Sequence, residues 1–248
     1  FMDGVVDSRT AFMLRDYVGY PGHRSEPLFD PARFKQICTE IDRLGMQIAV
    51  HCIGDGAVRT TIDGYEAALL ANCRNDARHR IEHIEFIDPS DIPRLAALGI
   101  VASLQPPHPP GAMDFPIEPT MSLVEKSVWK GAYLWKSLAD QGAKIAYSSD
   151  WPVVDISVMR GIQAALTRPA YDGCADERLS RMETLYAYTA GGAWAGHSDH
   201  VTGTLRTGLA GDVVIVDGDL ETIAAQDIGK MGIHSTIAGG RITHGGAA

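Results

Sequence analysis

The sequence predicts an α/β fold, namely the second half of a (β/α)8 TIM barrel followed by a small β-sandwich domain. Short apolar runs alternate with helical patterns, which indicates parallel strands joined by helical crossovers. Polar residues follow several successive strands, and barrel enzymes carry their chemistry at that end. The fingerprint G-x-G-x-x-G, typical of a dinucleotide-binding sheet, does not follow the first strand. The barrel is therefore favoured over an open sheet.

The predicted elements follow one another in regular order. Four apolar runs are expected to form the parallel strands: 47–50, 80–84, 100–104 and 144–149. Apolar residues at helical spacing predict five helices: 56–72, 89–98, 132–141, 158–167 and 182–194. Glycines close two of these helices at Gly99 and Gly142, and Gln105 with two following prolines ends the third strand.

The pattern changes near Thr204, where a second domain is expected to begin. Residues 1–203 are assigned to the barrel, and residues 204–248 to part of a β-sandwich. The strand-like runs of the tail are 203–205, 211–217, 233–238 and 241–243, and the last two are joined by Gly239-Gly240 as a hairpin. Only about four strand–helix units precede the tail. The missing half of the barrel is expected to come from further residues, from another chain, as in a homo-oligomer, or from a different packing.

Composition excludes several classes of protein. The 248 residues are 45% hydrophobic and 21% charged, which is typical of a globular chain and not of a disordered one. With 22 Lys and Arg against 31 Asp and Glu, the net charge of −9 argues against binding nucleic acid. No apolar run is long enough to cross a membrane. The four cysteines form no C-x-x-C pair, so we expect reduced thiols in a cytoplasmic protein.

Three residues at strand ends are the candidates for chemistry. His51 and His83 end the first two strands, and neighbouring strand ends lie about 5 Å apart, so both imidazoles can reach one ion. Asp150 follows the fourth strand and can be a third ligand, a general base or both. Two histidines and a carboxylate with an open position form a catalytic zinc set. Each residue also has a structural alternative: His51 as a histidine hydrogen-bonded in a turn, His83 as part of a surface pair with a glutamate, and Asp150 as a helix N-cap or turn residue.

Other polar residues near these strand ends are candidates for supporting roles. Four are candidates for orienting the ligands through hydrogen bonds: Asp55, Arg80, Glu82 and Glu85. Asp55 equally fits a cap of the helix that follows it. Gln105 and His108 lie in a proline-rich segment after the third strand. They are candidates for contacting substrate, and the segment equally fits an ordinary rigid loop.

Three segments resemble motifs of the metal-dependent amidohydrolase superfamily: His51–Asp55, Arg80–His83 and Ser148–Pro152. The most similar branch is amidohydrolase family 3, which includes the N-substituted formamide deformylases. Segments near both ends agree with this branch and extend the resemblance, in order, over nearly the whole chain: 3–11, 188–193 and 203–214.

The resemblance implies a metal-binding TIM barrel with an attached β-domain. His51 and His83 would ligate a divalent metal, most often zinc, as one or two ions. Asp150 would bind the metal and act as proton acceptor and donor. The reaction would be hydrolysis of an amide or other C–N bond in a small molecule, such as an N-acyl or N-formyl amine.

The sequence also departs from the superfamily. It contains neither the H-x-H pair of the first barrel strand nor the lysine that bridges two metals in many members. The resemblance therefore implies the C-terminal half of an enzyme about twice this length, with the missing N-terminal half as its partner. Two alternatives stay open: a catalytically incomplete fragment that acts as a binding or oligomerising module, and a metal-independent lyase that uses His51 and His83 as acid and base.

Overall fold

Four short parallel strands form the sheet on which the site is built. A computed structural model describes residues 1–245. The strands are Ala49–Cys52 (β1), Arg80–His83 (β2), Val101–Leu104 (β3) and Lys144–Tyr147 (β4). They are hydrogen-bonded in the order β1-β2-β3-β4, which is also their order along the chain. Because all four run the same way, their carboxyl ends lie at one edge of the sheet.

Helices connect and cover these strands. The α-helices are Pro31–Arg43 (α1), Asp55–Asn72 (α2), Ile92–Ala97 (α3), Thr120–Leu123 (α4), Trp135–Asp140 (α5), Val158–Thr167 (α6), Arg181–Tyr186 (α7) and Gly192–Ala195 (α8). Shorter turns of 3₁₀-helix cover Pro89–Asp91, Val128–Gly131 and Ala225–Lys230, and a π-helical turn covers Ala187–Gly191. None of the helices among residues 1–245 is long and apolar enough to span a bilayer.

Local sequence explains several helix boundaries. α1 begins at a proline, and the preceding Asp30 accepts a hydrogen bond from the backbone N–H of Arg33 at 2.9 Å. α7 begins with a capping box, in which Ser180 and Glu183 each accept from the other's backbone N–H. α1 was not predicted, although apolar residues recur at helical spacing after this capped start: Phe34, Ile37, Cys38 and Ile41.

The main core lies between the sheet and its helices. Ile81 of β2 and Val101 of β3 are fully buried, and so are Tyr65 of α2 and Trp135 of α5, which are at most 2% exposed. The apolar residues of the strands thus face the helices, as a parallel sheet requires. This packing fixes the strand ends that carry the candidate site.

A separate antiparallel sheet forms the C-terminal part of the described chain. Val213–Val216 (β5), Ile233–Ala238 (β6) and Arg241–His244 (β7) are hydrogen-bonded in the order β5-β6-β7. The predicted hairpin between β6 and β7 is confirmed. Gly239 and Gly240 turn it with φ values of 56° and 73°, a conformation that glycine adopts without strain.

One predicted element was wrong and one was irregular. Residues 203–205 form no strand, because Gly203 turns the chain with φ 94°, and a β-carbon at that position would lie 2.4 Å from Cβ of Ala193. The helix expected over 182–194 is confirmed as helical throughout, but a π-helical turn between α7 and α8 interrupts its α-helical geometry.

The observed α/β arrangement agrees with the predicted fold class at the level of its sheets. Four parallel strands in sequential order and a small antiparallel sheet are both present in residues 1–245. A closed barrel, the β-sandwich and the division into residues 1–203 and 204–248 stay predictions. Residues 246–248 of the second expected domain lie outside the described part of the chain.

Candidate metal centre

The candidate residues from four successive strands meet at one edge of the sheet. His51 lies within β1, His83 is the last residue of β2, and Asp150 follows β4 after two serines. His108 follows β3 and its proline pair. All four line a cavity of about 600 Å³, together with the apolar side chains of Phe1, Val5, Ile53, Phe115 and Val153.

The tightest group of possible metal ligands consists of His83, His108 and Asp150. One ligand atom from each residue lies within 4.8 Å of the other two. Nε2 of His108 is 3.7 Å from Oδ2 of Asp150, and the rings of His83 and His108 stack at 5.6 Å with an angle of 12°. Sequence reasoning treated His108 only as a substrate contact, because its place after β3 gave no sign of this proximity.

Buried nitrogens without partners show that this group fits a metal ion. Nδ1 of His83 and Nε2 of His108 are buried and have no hydrogen-bond partner among residues 1–245. Buried polar atoms in proteins nearly always have a partner, and a metal ion bound beside the Asp150 carboxylate would give these two nitrogens one. Two imidazoles and a carboxylate are donors that suit zinc and other divalent transition metals.

His51 lies on the other side of His83. Their rings meet edge to face with centroids 4.5 Å apart. The three-residue group at the metal centre does not include His51, and its role as a ligand therefore stays a prediction.

A buried carboxylate that the sequence did not reveal lies behind His51. Oδ1 of Asp3 is 3.3 Å from Nδ1 of His51, and the Asp3 side chain is fully buried. The Asp3 carboxylate also accepts hydrogen bonds from the backbone N–H groups of Phe12, Ile53 and Gly54, at 2.8 to 3.0 Å. Asp3 thus ties the start of the chain to the end of β1.

The backbone at two of the candidate ligands is in an unusual conformation. His83, Ile84 and Asp150 have φ values of 77°, 46° and 61°, in the left-handed region that disfavours side chains with a β-carbon. Such residues cluster at functional sites because they aim side chains in directions that regular strands do not allow. The hydrogen bond from the Ile84 N–H to the Cys52 carbonyl, at 3.0 Å, stabilises this turn.

Burial determines the charge of the site histidines. Burial, together with repulsion from the neighbouring His51 and His108, lowers the pKa of His83 to about 3, against an opposing contact with Gln105. Burial also lowers the pKa of His108, against the attraction of Asp150. Both rings are therefore neutral near pH 7, the form in which imidazole binds metals.

Glu85 is an acidic residue of the cavity whose pKa is strongly shifted. Burial and the negative charges of Asp7, Asp3 and Asp150 together raise its pKa to about 8, against the opposing effect of a hydrogen bond from Tyr133. Its Oε1 lies 3.9 Å from Nδ1 of His108. Of the four residues expected to orient ligands, Glu85 is the one placed next to a site histidine.

The other expected supporting residues have different partners. Arg80 and Glu82 pair with each other at 3.0 Å, and Glu82 lines the cavity. Asp55 does not cap α2, whose N-cap is Gly54; its carboxylate accepts from the backbone N–H of Leu14 at 2.8 Å.

Gln105 lies under the site. Its amide nitrogen donates to the Ser148 hydroxyl at 3.0 Å, and its buried Oε1 has no partner in the described chain. A role for Gln105 in contacting substrate stays a prediction.

The sequence of the chain is similar to those of several known proteins. The model of an amidohydrolase family matches residues 1–244. Protein LONG AFTER FAR-RED 3 of Arabidopsis thaliana is 33% identical over 245 residues, which are 97% of this chain and 41% of that protein. The N-substituted formamide deformylase of Arthrobacter pascens is 22% identical over 253 residues, covering 97% of this chain and 44% of that protein. The chain thus spans less than half the length of these relatives.

A solved structure has a similar fold. The crystal structure of an uncharacterized metal-dependent hydrolase from Pyrococcus furiosus superposes with a TM-score of 0.72 at 29% sequence identity. The match covers 84% of this chain and 41% of that chain.

Proposed function

The chain belongs to the amidohydrolase family, and from this premise we propose that it contributes a divalent-metal site to a hydrolase of amide or related C–N bonds. The observation that carries the proposal is the convergence of His83, His108 and Asp150 within 4.8 Å at the carboxyl edge of the sheet. These three side chains come from separate strand ends. An ordinary surface cluster would not leave two of their nitrogens buried without partners.

His83 and Asp150 would hold the metal, together with His51 as the sequence predicts. Zinc is the ion that best suits this mixture of imidazole and carboxylate. A divalent ion bound there would supply a nucleophilic water at neutral pH and polarise the scissile carbonyl. The neutral state of the buried His83 ring leaves a lone pair free for coordination.

Asp150 would move the proton of the reaction. Its carboxylate lies at the rim of the cavity, is 38% exposed and faces Nε2 of His108 at 3.7 Å. It can accept a proton from the attacking water and deliver it to the nitrogen of the departing amine, so that C–N cleavage releases a neutral amine and an acid. The left-handed backbone at Asp150 turns the carboxylate into the mouth of the site.

The cavity favours a small substrate with an apolar part. The cavity has an apolar wall beside its polar edge, formed by Phe115, Val153 and Ile53. Its volume of about 600 Å³ lies in the range of small-molecule sites. An N-acyl or N-formyl amine fits this description. The relative from Arthrobacter pascens is a deformylase of N-substituted formamides, which supports the same class.

Metal analysis and turnover of the full-length protein test the proposal together. We expect about one or two equivalents of zinc after purification, loss of amine release from an N-formyl amine after chelation, and recovery when zinc is restored. Stoichiometric metal without turnover of any N-acyl or N-formyl amine would favour the binding or oligomerising module. Turnover that survives complete metal removal would favour the metal-independent lyase.

A further inference from the structure

We propose that His108 is itself a metal ligand, held in place by Glu85, and not a substrate contact. This inference rests on the proposed metal site and specifies its donor set. It adds a ligand from the segment after β3 to those expected from the ends of β1, β2 and β4.

The position of Nε2 of His108 is the first observation. The His108 side chain is 7% exposed, and this nitrogen is buried and has no hydrogen-bond partner within residues 1–245. A nitrogen that binds substrate must be accessible from the cavity. Nε2 instead faces Asp150, so the partner it lacks belongs between the two residues and not in the open part of the cavity.

The distance between these two groups suits a shared ion. Zinc lies about 2.0–2.2 Å from nitrogen and oxygen ligands, so two ligands of one ion are separated by at most about 4.4 Å. Nε2 of His108 is 3.7 Å from Oδ2 of Asp150, which is too far for a good hydrogen bond and short enough for common coordination. A ligand atom of His83 lies within 4.8 Å of both, which is close to this limit.

Glu85 lies beside the second nitrogen of the His108 ring. Its Oε1 lies 3.9 Å from Nδ1 of His108, the nitrogen that does not face Asp150. Metal-bound imidazoles usually donate their second N–H to an oxygen acceptor, which fixes the tautomer and directs the other nitrogen to the metal. The carboxyl group of Glu85 keeps an oxygen that can accept this hydrogen bond in both its protonated and its ionised form.

The surroundings also hold the ring rigidly. The ring of His108 lies between those of His83 and Phe115, with centroids at 5.6 Å and 5.5 Å. The backbone N–H of His108 donates to the Gln105 carbonyl at 3.0 Å, and prolines flank the histidine on both sides. A ligand held in advance in this way loses little conformational freedom when the metal binds.

Zinc affinity of substituted proteins tests the inference. Dissociation constants are measured by competition with a chromogenic chelator on full-length protein carrying His108→Asn, with His83→Asn for comparison and the exposed His200→Asn as control. We expect His108→Asn to weaken zinc binding at least about 10-fold, since loss of a residue that only orients a ligand already has an effect of that size. His200→Asn should leave the zinc affinity unchanged. If His108→Asn keeps the zinc affinity and His83→Asn weakens it, the role of His108 is overturned but the proposed metal site is not. Unchanged affinity in both overturns the proposed metal site.

A second variant keeps the test valid if His108→Asn fails to fold. Cysteine is also a zinc and cobalt ligand, so His108→Cys loaded with Co²⁺ should show a sulfur-to-cobalt charge-transfer band that the unsubstituted protein lacks. Absence of the band in a protein that binds cobalt stoichiometrically would show that position 108 does not reach the metal.

Discussion

The carboxylate of Asp3 lies 3.3 Å from Nδ1 of His51, although Asp3 stands 48 positions before His51 in the sequence. The two groups meet at ion-pair distance without the geometry of a hydrogen bond, so Nδ1 of His51 is a buried nitrogen without a hydrogen-bond partner within residues 1–245. Asp3 is also the acceptor for three backbone N–H groups, two of which belong to the turn that follows β1. One buried carboxylate therefore holds the loop after β1 and places a negative charge beside the ring of His51.

Replacing Asp3 by asparagine should weaken metal binding roughly 10–100-fold, because the amide removes the negative charge that lies 3.3 Å from Nδ1 of His51. The measurement is the zinc dissociation constant by chelator competition, with the thermal unfolding of the metal-free protein recorded in parallel. Asp55→Asn is the matched control, since the Asp55 carboxylate also accepts a loop N–H, from Leu14, without contacting a site histidine. Equal zinc affinities in the two variants would remove Asp3 from the site.

The sequence predicted which strand ends meet at the candidate site, but not which side chains surround them. His51, His83 and Asp150 were predicted because each follows an apolar run, and strand order alone places them at one edge. The contacts of Asp3 and Glu85 with site histidines depend on loops that return to the sheet from elsewhere in the chain. Side-chain partners of that kind are set by tertiary packing, and no local spacing encodes them.

Replacing Asp150 by asparagine should lower kcat by roughly 10²–10⁴-fold even when metal is saturating, because the amide cannot accept the proton of the attacking water. The assay is amine release from an N-formyl amine by the full-length protein across a series of zinc concentrations. If Asp150 acted only as a ligand, excess zinc would restore the unsubstituted rate. Glu82→Gln is a suitable control, because Glu82 lines the cavity and pairs with Arg80.

The elements of the fold were predictable where hydrophobic periodicity was strong. The four parallel strands and α6 lie within a few residues of their predicted bounds. The π-helical turn before Gly192 was not predictable, because it arises where the helix meets β4 and its apolar residues match an ordinary helix. α1 was missed, although Asp30-Pro31 marks its start and an apolar stripe follows, formed by Phe34, Ile37, Cys38 and Ile41.

His79 should make stability sensitive to acid. Its Nδ1 accepts a hydrogen bond from the backbone N–H of Ile48 at 3.1 Å, and its Nε2 lies 3.1 Å from Asp42. Burial lowers the pKa of His79, the charge of Asp42 opposes this, and the charge of Arg74 adds to it. A folded-state pKa below the unfolded value of about 6.5 means that stability is full above that pH and is lost as the pH falls below it.

The test is the free energy of unfolding of metal-free protein, measured with urea between pH 8 and pH 5. We expect His79→Gln to reduce the loss of stability below about pH 6.5, although the variant starts from a lower value at pH 8. The exposed His23→Gln should keep the slope of the unsubstituted protein. A slope that is the same in all three proteins would contradict a role for His79.

Two adjacent glycines near β4 should respond oppositely to alanine. A β-carbon on Gly191 would lie 2.2 Å from the backbone carbonyl oxygen of Ile145, whereas one on Gly192 meets nothing nearer than 3.9 Å. Because a carbonyl in the sheet cannot move aside, Gly191→Ala should destabilise the fold by about 1–3 kcal/mol. Gly192→Ala should be neutral or stabilise it by up to about 1 kcal/mol, since both residues have helical backbone angles.

Urea unfolding of the two metal-free variants measures this difference directly. The close approach at Gly191 holds the helical segment against β4, the strand that leads to Asp150, so we also expect Gly191→Ala to weaken zinc binding while Gly192→Ala does not. Equal stabilities would mean that the contact between Gly191 and Ile145 relaxes without cost. Lower stability with unchanged zinc affinity would show that strain in β4 does not reach the metal centre.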